Sequence, residues 1–299
     1  MSGANTAGTL GFVGLGAMGL PMALNLIRAG YTVQGFDLNP AALAALGQAG
    51  GIGVASAAAA AVGADTLVLM VVNAAQAEAV LFEAGAAGAL PEGASVIVMA
   101  TCPPQSVAAM ATRVEAMGRR LIDAPVSGGV TGAVAASLTI MAAAPAASFA
   151  AVRPVLDAMG GKVVHVGEQP GQGAVVKTVN QLLAGVHIAA AAEALALAGK
   201  LGIDTAIMLD IVSGSAASSW MLRDRGPRML QDDPEVRSAV DIFVKDLGIV
   251  MEAGRDAKAA LPLAAAAHQL FLAASGQGHG KADDSQLIRT YDQLNGKAT

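Results

Sequence analysis

Residues 9–37 read TLGFVGLGAMGLPMALNLIRAGYTVQGFD, and this stretch decides how the rest of the chain is read. A short β-prone run, 10–13, leads into Gly14-Leu15-Gly16-Ala17-Met18-Gly19. A helical pattern follows, with Met22, Leu26 and Ile27 on its apolar side, and Gly30 stands where a helix commonly ends. A second strand, 32–36, runs to Asp37, eighteen positions beyond Gly19. Strand, G-x-G-x-x-G turn, helix, strand and acid in that order predict a βαβ unit that binds a dinucleotide.

Each part has a physical task. Gly14 permits the tight turn, Gly16 lets a pyrophosphate approach the backbone, and Gly19 lets helix and strand pack closely. The turn residues Gly14, Gly16, Ala17, Met18 and Gly19 then meet the phosphates with backbone N–H groups and the positive helix end. Asp37 accepts from the adenosine ribose and repels a 2′-phosphate, so the expected cofactor is NAD rather than NADP.

The composition bounds the rest. At 299 residues the chain suits two domains, and 54% hydrophobic content supplies a sizeable core. The positive mean hydropathy comes largely from Ala. The uncharged run 124–152 is interrupted by Pro125, Pro145 and several glycines, so no membrane span is expected there. The first ten residues lack the basic-then-apolar layout of a signal peptide. The lone Cys102 excludes an internal disulfide framework and suits a reducing cytoplasm. A net charge of −5 with 3% aromatic residues argues against nucleic-acid binding. His165, His187, His268 and His279 show no metal-ligand spacing, so no metal is expected.

Strand-like runs at 66–72, 95–99, 120–123, 138–141 and 163–166 alternate with helical stretches at 41–48, 76–82, 105–117 and 147–159. That rhythm predicts an α/β fold with a doubly wound, mainly parallel Rossmann-type sheet. It stops after Gly167. Residues 171–200 contain no Pro and read as one helix, roughly 45 Å long. Further helices are expected at 204–212, 218–230, 237–255, 261–274 and 284–295. The expected organisation is a dinucleotide-binding domain over 1–166 and an all-α second domain over 167–299 for substrate and oligomerisation, beginning with a long interdomain helix.

Ligands in such sheets sit at the carboxyl ends of the strands. Val72 closes one expected strand there. Thr101 follows another, and is either a hydroxyl for the cofactor or the start of a loop. Ser127-Gly128-Gly129 is either an ordinary turn or a backbone curl that grips an anion such as a carboxylate. Lys177 shares a helix face with Asn180 and Gln181. It is either a solvated surface lysine or an acid/base group of the kind burial tunes to about pH 7–8. Lys245-Asp246, in a mostly apolar helix, reads by itself as a salt-bridged surface pair. The Met residues read as packing. Cys102, with no basic neighbour, reads as a small buried residue.

Together these motifs resemble the β-hydroxyacid (3-hydroxyisobutyrate) dehydrogenase family. GFVGLGAMGLPMALNL (11–26) is similar to its N-terminal motif, DAPVSGGVTGA (123–133) to its substrate motif, and Gly171-x-Gly173-x-x-x-Lys177-x-x-Asn180 to its catalytic motif. Lys245-Asp246-Leu247 resembles its late cofactor-side motif. The resemblance implies Lys177 as catalytic acid/base and Ser127, Gly128, Gly129, Asn180 and Gln181 around the substrate. It also implies Thr101 and Lys245 near the nicotinamide, and a homodimer or homotetramer.

There are departures. Gln181 stands where the family often has a second Asn, Ala100 where it often has Ser, and Ala142-Ala143 where it has Gly-Gly. Residues 180–187, NQLLAGVH, resemble the L-threonate dehydrogenase subgroup, which implies oxidation of a four-carbon sugar acid to its 2-oxo acid. The alternatives within the family are 3-hydroxyisobutyrate dehydrogenase and glyoxylate/succinic semialdehyde (tartronate semialdehyde) reductase. Outside catalysis, the alternative is a non-catalytic dinucleotide-binding sensor or scaffold. An imine-reducing relative would be expected to replace Lys177.

Overall fold

A computed structural model describes residues 8–296 of the chain. It forms two compact units, one ending at Lys177 and the other beginning at Thr178.

The first unit alternates as the sequence rhythm requires. In chain order it runs β1 (Thr9–Val13), α1 (Gly19–Arg28), β2 (Thr32–Phe36), α2 (Pro40–Gln48), β3 (Ile52–Gly53), α3 (Ala57–Ala61), β4 (Thr66–Leu69) and α4 (Ala74–Glu78). It continues with α5 (Ala86–Ala89), β5 (Ser95–Val98), α6 (Pro104–Glu115), β6 (Arg120–Asp123), β7 (Val126–Ser127), α7 (Gly129–Val134), β8 (Thr139–Ala143), α8 (Ala146–Asp157) and β9 (Lys162–Gly167). The order β3-β2-β1-β4-β5-β6 is parallel throughout and reverses direction beside β1, the switch point where dinucleotides bind. β8 is antiparallel to β6 and β7 and parallel to β9, so the sheet is mainly, not wholly, parallel.

Both faces of the sheet are buried because successive strand residues point to opposite sides. Phe12, Val68, Ile97 and Ile122 pack with Met22 and Leu26 of α1 and Leu46 of α2. Their neighbours Val13, Leu67, Leu69, Val96, Val98 and Leu121 pack on the other side with Val107, Met110 and Val114 of α6. The Ala tract forms α3, whose Ala57, Ala60 and Ala61 are buried against that second face. The helix expected at 76–82 differs: α4 ends at Glu78 and a π-turn carries 79–83.

The long helix α9 (Gln172–Lys200) begins in the first unit and enters the second. It is long and apolar enough, by composition, to cross a bilayer. Its Ile188, Ala192 and Leu195 instead pack into the core of the second unit. That unit continues with α10 (Thr205–Ser213), α11 (Trp220–Met229), α12 (Val240–Asp256), α13 (Pro262–Ala274) and α14 (Ile288–Leu294). Phe243 of α12 stacks on Phe271 of α13, ring centroids 5.1 Å apart. Arg225 of α11 grips buried Asp284 with two nitrogens, at 3.1 and 2.9 Å, and Arg228 bonds Asp283 at 2.9 Å. These paired charges tie the 3-10 turn at 284–287 to α11.

Candidate active site

Parallel register lines the site residues of the first unit along one edge. Val13, Leu69, Val98 and Asp123 are neighbours across β1, β4, β5 and β6. The residues that follow them therefore emerge side by side, over roughly 15 Å at the usual strand spacing.

The glycine turn leaves β1 at this edge, and its three glycines do three different things. Gly14 has φ +94°, and a Cβ there would lie 2.4 Å from the carbonyl oxygen of Met70. A Cβ on Gly19 would come within 1.8 Å of the Gly14 carbonyl oxygen. A Cβ on Gly16 would meet no protein atom within 4 Å. Gly14 and Gly19 are thus fixed by the fold, whereas Gly16 borders open space, the cradle that a pyrophosphate requires. Asp37, half-buried at the end of β2, accepts from Leu15 N at 2.6 Å through Oδ2 and from Asn39 N at 2.7 Å through Oδ1. Those bonds hold its carboxylate against the turn. Each oxygen keeps a lone pair for a ribose hydroxyl. The residues present fit a dinucleotide.

Further along the edge, the β4 strand stops at Leu69, earlier than the expected 72, and Val72 lies on the loop beyond. Val72 N donates to Gln76 Oε1 at 2.9 Å, while Asn73 caps α4. Thr101 is half-buried just past β5, and Cys102 beside it is buried. After β7, Gly128 (φ +134°) and Gly129 (φ +60°) both occupy the left-handed half of conformational space. Side chains rarely adopt those angles, and the backbone curls accordingly after half-buried Ser127.

Lys177 is 7% exposed, which removes the surface-lysine reading. The start of its helix is held by Asp123, a residue for which sequence reading assigned no role. Asp123 Oδ2 accepts from Gly171 N at 2.9 Å and Ala174 N at 2.8 Å, the open N–H groups at the beginning of α9. Gly173 permits this seat, since a Cβ there would lie 2.9 Å from the Asp123 carbonyl oxygen. Burial pushes the Asp123 carboxyl up to about 6, against the opposing pull of the backbone N–H groups of Ala174, Gly171 and Gly173. The available signal was an ionisable residue ending the apolar run Leu121-Ile122.

In the second unit, Asn180, Gln181, Asp246 and Lys245 form a chain of polar contacts. Asn180 Nδ2 donates to Gln181 Oε1 at 2.9 Å. Gln181 Nε2 donates to Asp246 Oδ2 in a short hydrogen bond. Lys245 Nζ stands 2.8 Å from Asp246 Oδ1. Gln181 and Asp246 are buried, Asn180 is half-buried, and the Lys245 side chain is 23% exposed. The surface-pair reading of Lys245-Asp246 therefore holds for neither partner in full. Asp246 hydrogen-bonds α12 to α9 through Gln181, and sequence reading gave it no separate role.

The first unit thus combines a dinucleotide-type glycine turn with a buried lysine. Residues 9–167 match the family model described as the NAD binding domain of 6-phosphogluconate dehydrogenase. Residues 171–291 match that described as NAD-binding of NADP-dependent 3-hydroxyisobutyrate dehydrogenase. The chain is 47% identical over 292 residues to an L-threonate dehydrogenase of Cupriavidus necator, covering 97% of this chain and 98% of that one. It is 44% identical over 287 residues to an L-threonate dehydrogenase of Escherichia coli K12, covering 95% of each. Among solved structures, a 3-hydroxyisobutyrate dehydrogenase from Salmonella typhimurium superposes with a TM-score of 0.91 at 44% identity, covering 94% of this chain and 99% of that one. The protein is an NAD-dependent dehydrogenase of hydroxy acids. It belongs to the 3-hydroxyisobutyrate dehydrogenase family, within which it groups with the L-threonate enzymes.

Proposed function

We propose that this enzyme oxidises L-threonate to its 2-oxo acid, with Lys177 as general acid/base. The observation that carries the substrate is the 44–47% identity to L-threonate dehydrogenases over nearly the whole of both chains. NAD, when bound, accepts the hydride from the carbon that bears the hydroxyl. Gly14, Gly16, Ala17, Met18 and Gly19 hold its pyrophosphate, Asp37 its adenosine ribose, and Val72, Thr101 and Lys245 border the rest. Ser127 and the curled backbone at Gly128 and Gly129 hold the substrate carboxylate. Lys177, as a free amine, takes the hydroxyl proton as the carbonyl forms; in the reverse direction its ammonium returns that proton to the oxygen. Burial of Lys177 on a helix seated by Asp123 supports this role. The first domain, 1–166, serves the cofactor, and the second, 167–299, serves substrate and assembly.

Exposed Leu197, Leu201, Ile207 and Ile211 on and beside α9 and α10 give the second unit an apolar surface that supports a homodimer or homotetramer. A buried lone cysteine suits the cytoplasm. The test is a panel of L-threonate, 3-hydroxyisobutyrate, D-glycerate and L-serine with NAD and with NADP, followed by the absorbance of reduced nicotinamide. L-Threonate with NAD is expected to give the highest kcat/KM. A higher value for 3-hydroxyisobutyrate would move the enzyme to the activity in the name of the Salmonella structure.

A further inference from the structure

Asn25 stands in the middle of α1, buried with Met22 and Leu26. Local preference does not explain it, because Asn competes with the helix backbone and an amide out of water needs a partner. The partner is 108 residues away: Asn25 Nδ2 donates to the Ala133 carbonyl oxygen at 2.7 Å. A carbonyl only accepts, so the amide nitrogen has to face it. Ala133 lies near the end of α7, where a helix leaves its last four carbonyls without internal donors. The chain that follows meets two of them. Thr131 O accepts from Ala135 N at 3.1 Å, and Gly132 O from Ser137 N at 2.9 Å. Asn25 meets a third from a different element.

This bond bears on the backbone curl that leads into α7. The entry to the curl is held by the sheet, since Ser127 pairs with Thr139 of β8. Gly128 and Gly129 then turn the chain at φ +134° and +60°. The helix beyond them has six residues, too few to be stable alone. The turn that leaves it includes Ala136 at φ +53°, a conformation that residues with side chains rarely adopt. A short helix between a glycine pair and such a turn keeps its place through its packing, and α1 is part of that packing. Ala133 shares one core cluster with Met22 and Leu26. Along α1, Asn25 stands about 9 Å from Gly19, where the glycine turn ends. Along α7, Ala133 stands about 6 Å beyond Gly129. One hydrogen bond thus joins the helix of the pyrophosphate turn to the helix of the anion curl.

We propose that Asn25 is a positioning residue for the substrate: it fixes the curl at 127–129 relative to the glycine turn, so that the acid is gripped at the right distance from the cofactor. The inference rests on the proposed role of that curl as the carboxylate site. It gives α1 a second task besides meeting the pyrophosphate, carried by a residue to which sequence reading gave no role.

The test measures KM and kcat on the hydroxy acid that the enzyme turns over best, together with the NAD dissociation constant and the urea midpoint. Asn25→Leu keeps the volume and removes the donor. It is expected to raise KM for the acid at least about fivefold, with kcat and NAD affinity within about twofold of wild type, because the bond organises binding of the acid. Asn25→Ala carries the same expectation should the Leu variant fail to fold. Val114→Ala opens a cavity on the opposite face of the sheet and controls for lost stability. It is expected to lower the urea midpoint and leave KM unchanged. Ser127→Ala probes the curl itself and is expected to raise KM. If Ser127→Ala raises KM and the Asn25 variants lose only stability, the carboxylate site stands and Asn25 is merely structural, which overturns the proposal. A rise in the NAD dissociation constant equal to that in KM also overturns it, since Asn25 would then serve the cofactor turn. If neither Ser127→Ala nor the Asn25 variants raise KM, the carboxylate site is misplaced and the proposal falls with it.

Discussion

Gly16→Ala and Gly19→Ala differ by one methyl group at two ends of the same turn, and the structure predicts opposite consequences. At Gly16 the new Cβ meets no protein atom within 4 Å, so folding is expected to be unaffected. Urea midpoints of variant and wild type should then agree within about 0.3 M, near the usual uncertainty of such measurements. The same methyl fills the space reserved for the pyrophosphate, so the dissociation constant for NAD should rise at least about tenfold, roughly 1.4 kcal/mol. At Gly19 the Cβ would lie 1.8 Å from the Gly14 carbonyl oxygen, with Phe12 Cε1 at 3.2 Å behind it. The Gly14 backbone on one side and the buried Phe12 ring on the other leave no room, and overpacking of this kind costs about 1–3 kcal/mol or more. With a urea slope of about 2–3 kcal/mol/M, the midpoint should fall by about 0.5–1 M. Calorimetric titration with NAD and urea unfolding monitored at Trp220 read the two effects separately. A Gly16→Ala protein that binds NAD as tightly as wild type would refute the placement of the pyrophosphate.

Two other predictions follow from single carboxylates. Asp37, fixed by Leu15 N and Asn39 N, is expected to give NAD at least a tenfold advantage over NADP in kcat/KM; Asp37→Ser should narrow that ratio, and an unchanged ratio would remove Asp37 from the ribose site. Asp123, raised by burial from 3.8 to about 6, binds its proton more tightly folded than unfolded. Its stabilising contribution is therefore complete below about pH 4 and is lost as pH rises through about 6, leaving a penalty of about 3 kcal/mol at neutral pH. Asp123→Asn should gain stability relative to wild type across that window, and a difference that stays flat from pH 4 to 7 would contradict the burial argument.

Much of this was legible because it is periodic or chemically unusual. Residues 9–37 carry strand, turn, helix and strand in an order few other folds use, and the observed β1, α1 and β2 follow them closely. The later strands β4, β5 and β6 were legible in position because both faces are buried, which makes them short apolar runs such as Leu121-Ile122, although β4 stops at Leu69 rather than 72. The antiparallel turn of β8 was not legible, since Thr139–Ala143 has the same composition whichever way it runs. The two-residue strands β3 and β7 lack the length to show alternation. At the site, single residues with special chemistry stood out: Lys177 in an apolar helix, Gly128-Gly129 beside Ser127. Partnerships did not. Asp123 with the start of α9 lies 48 and 51 residues from its donors, and Gln181 with Asp246 spans 65, separations that no local pattern encodes.

The central claim is that a buried lysine on α9 moves the proton of the substrate hydroxyl. It is tested most directly by kcat of Lys177→Ala on L-threonate with saturating NAD, alongside the NAD dissociation constant of the folded variant. The account predicts a loss of at least about a hundredfold in kcat, the usual cost of removing an acid/base group, with NAD affinity within about twofold of wild type. Lys177→Arg should not restore the rate, because a guanidinium keeps its proton. A Lys177→Ala enzyme that retains near-wild-type kcat would contradict the account.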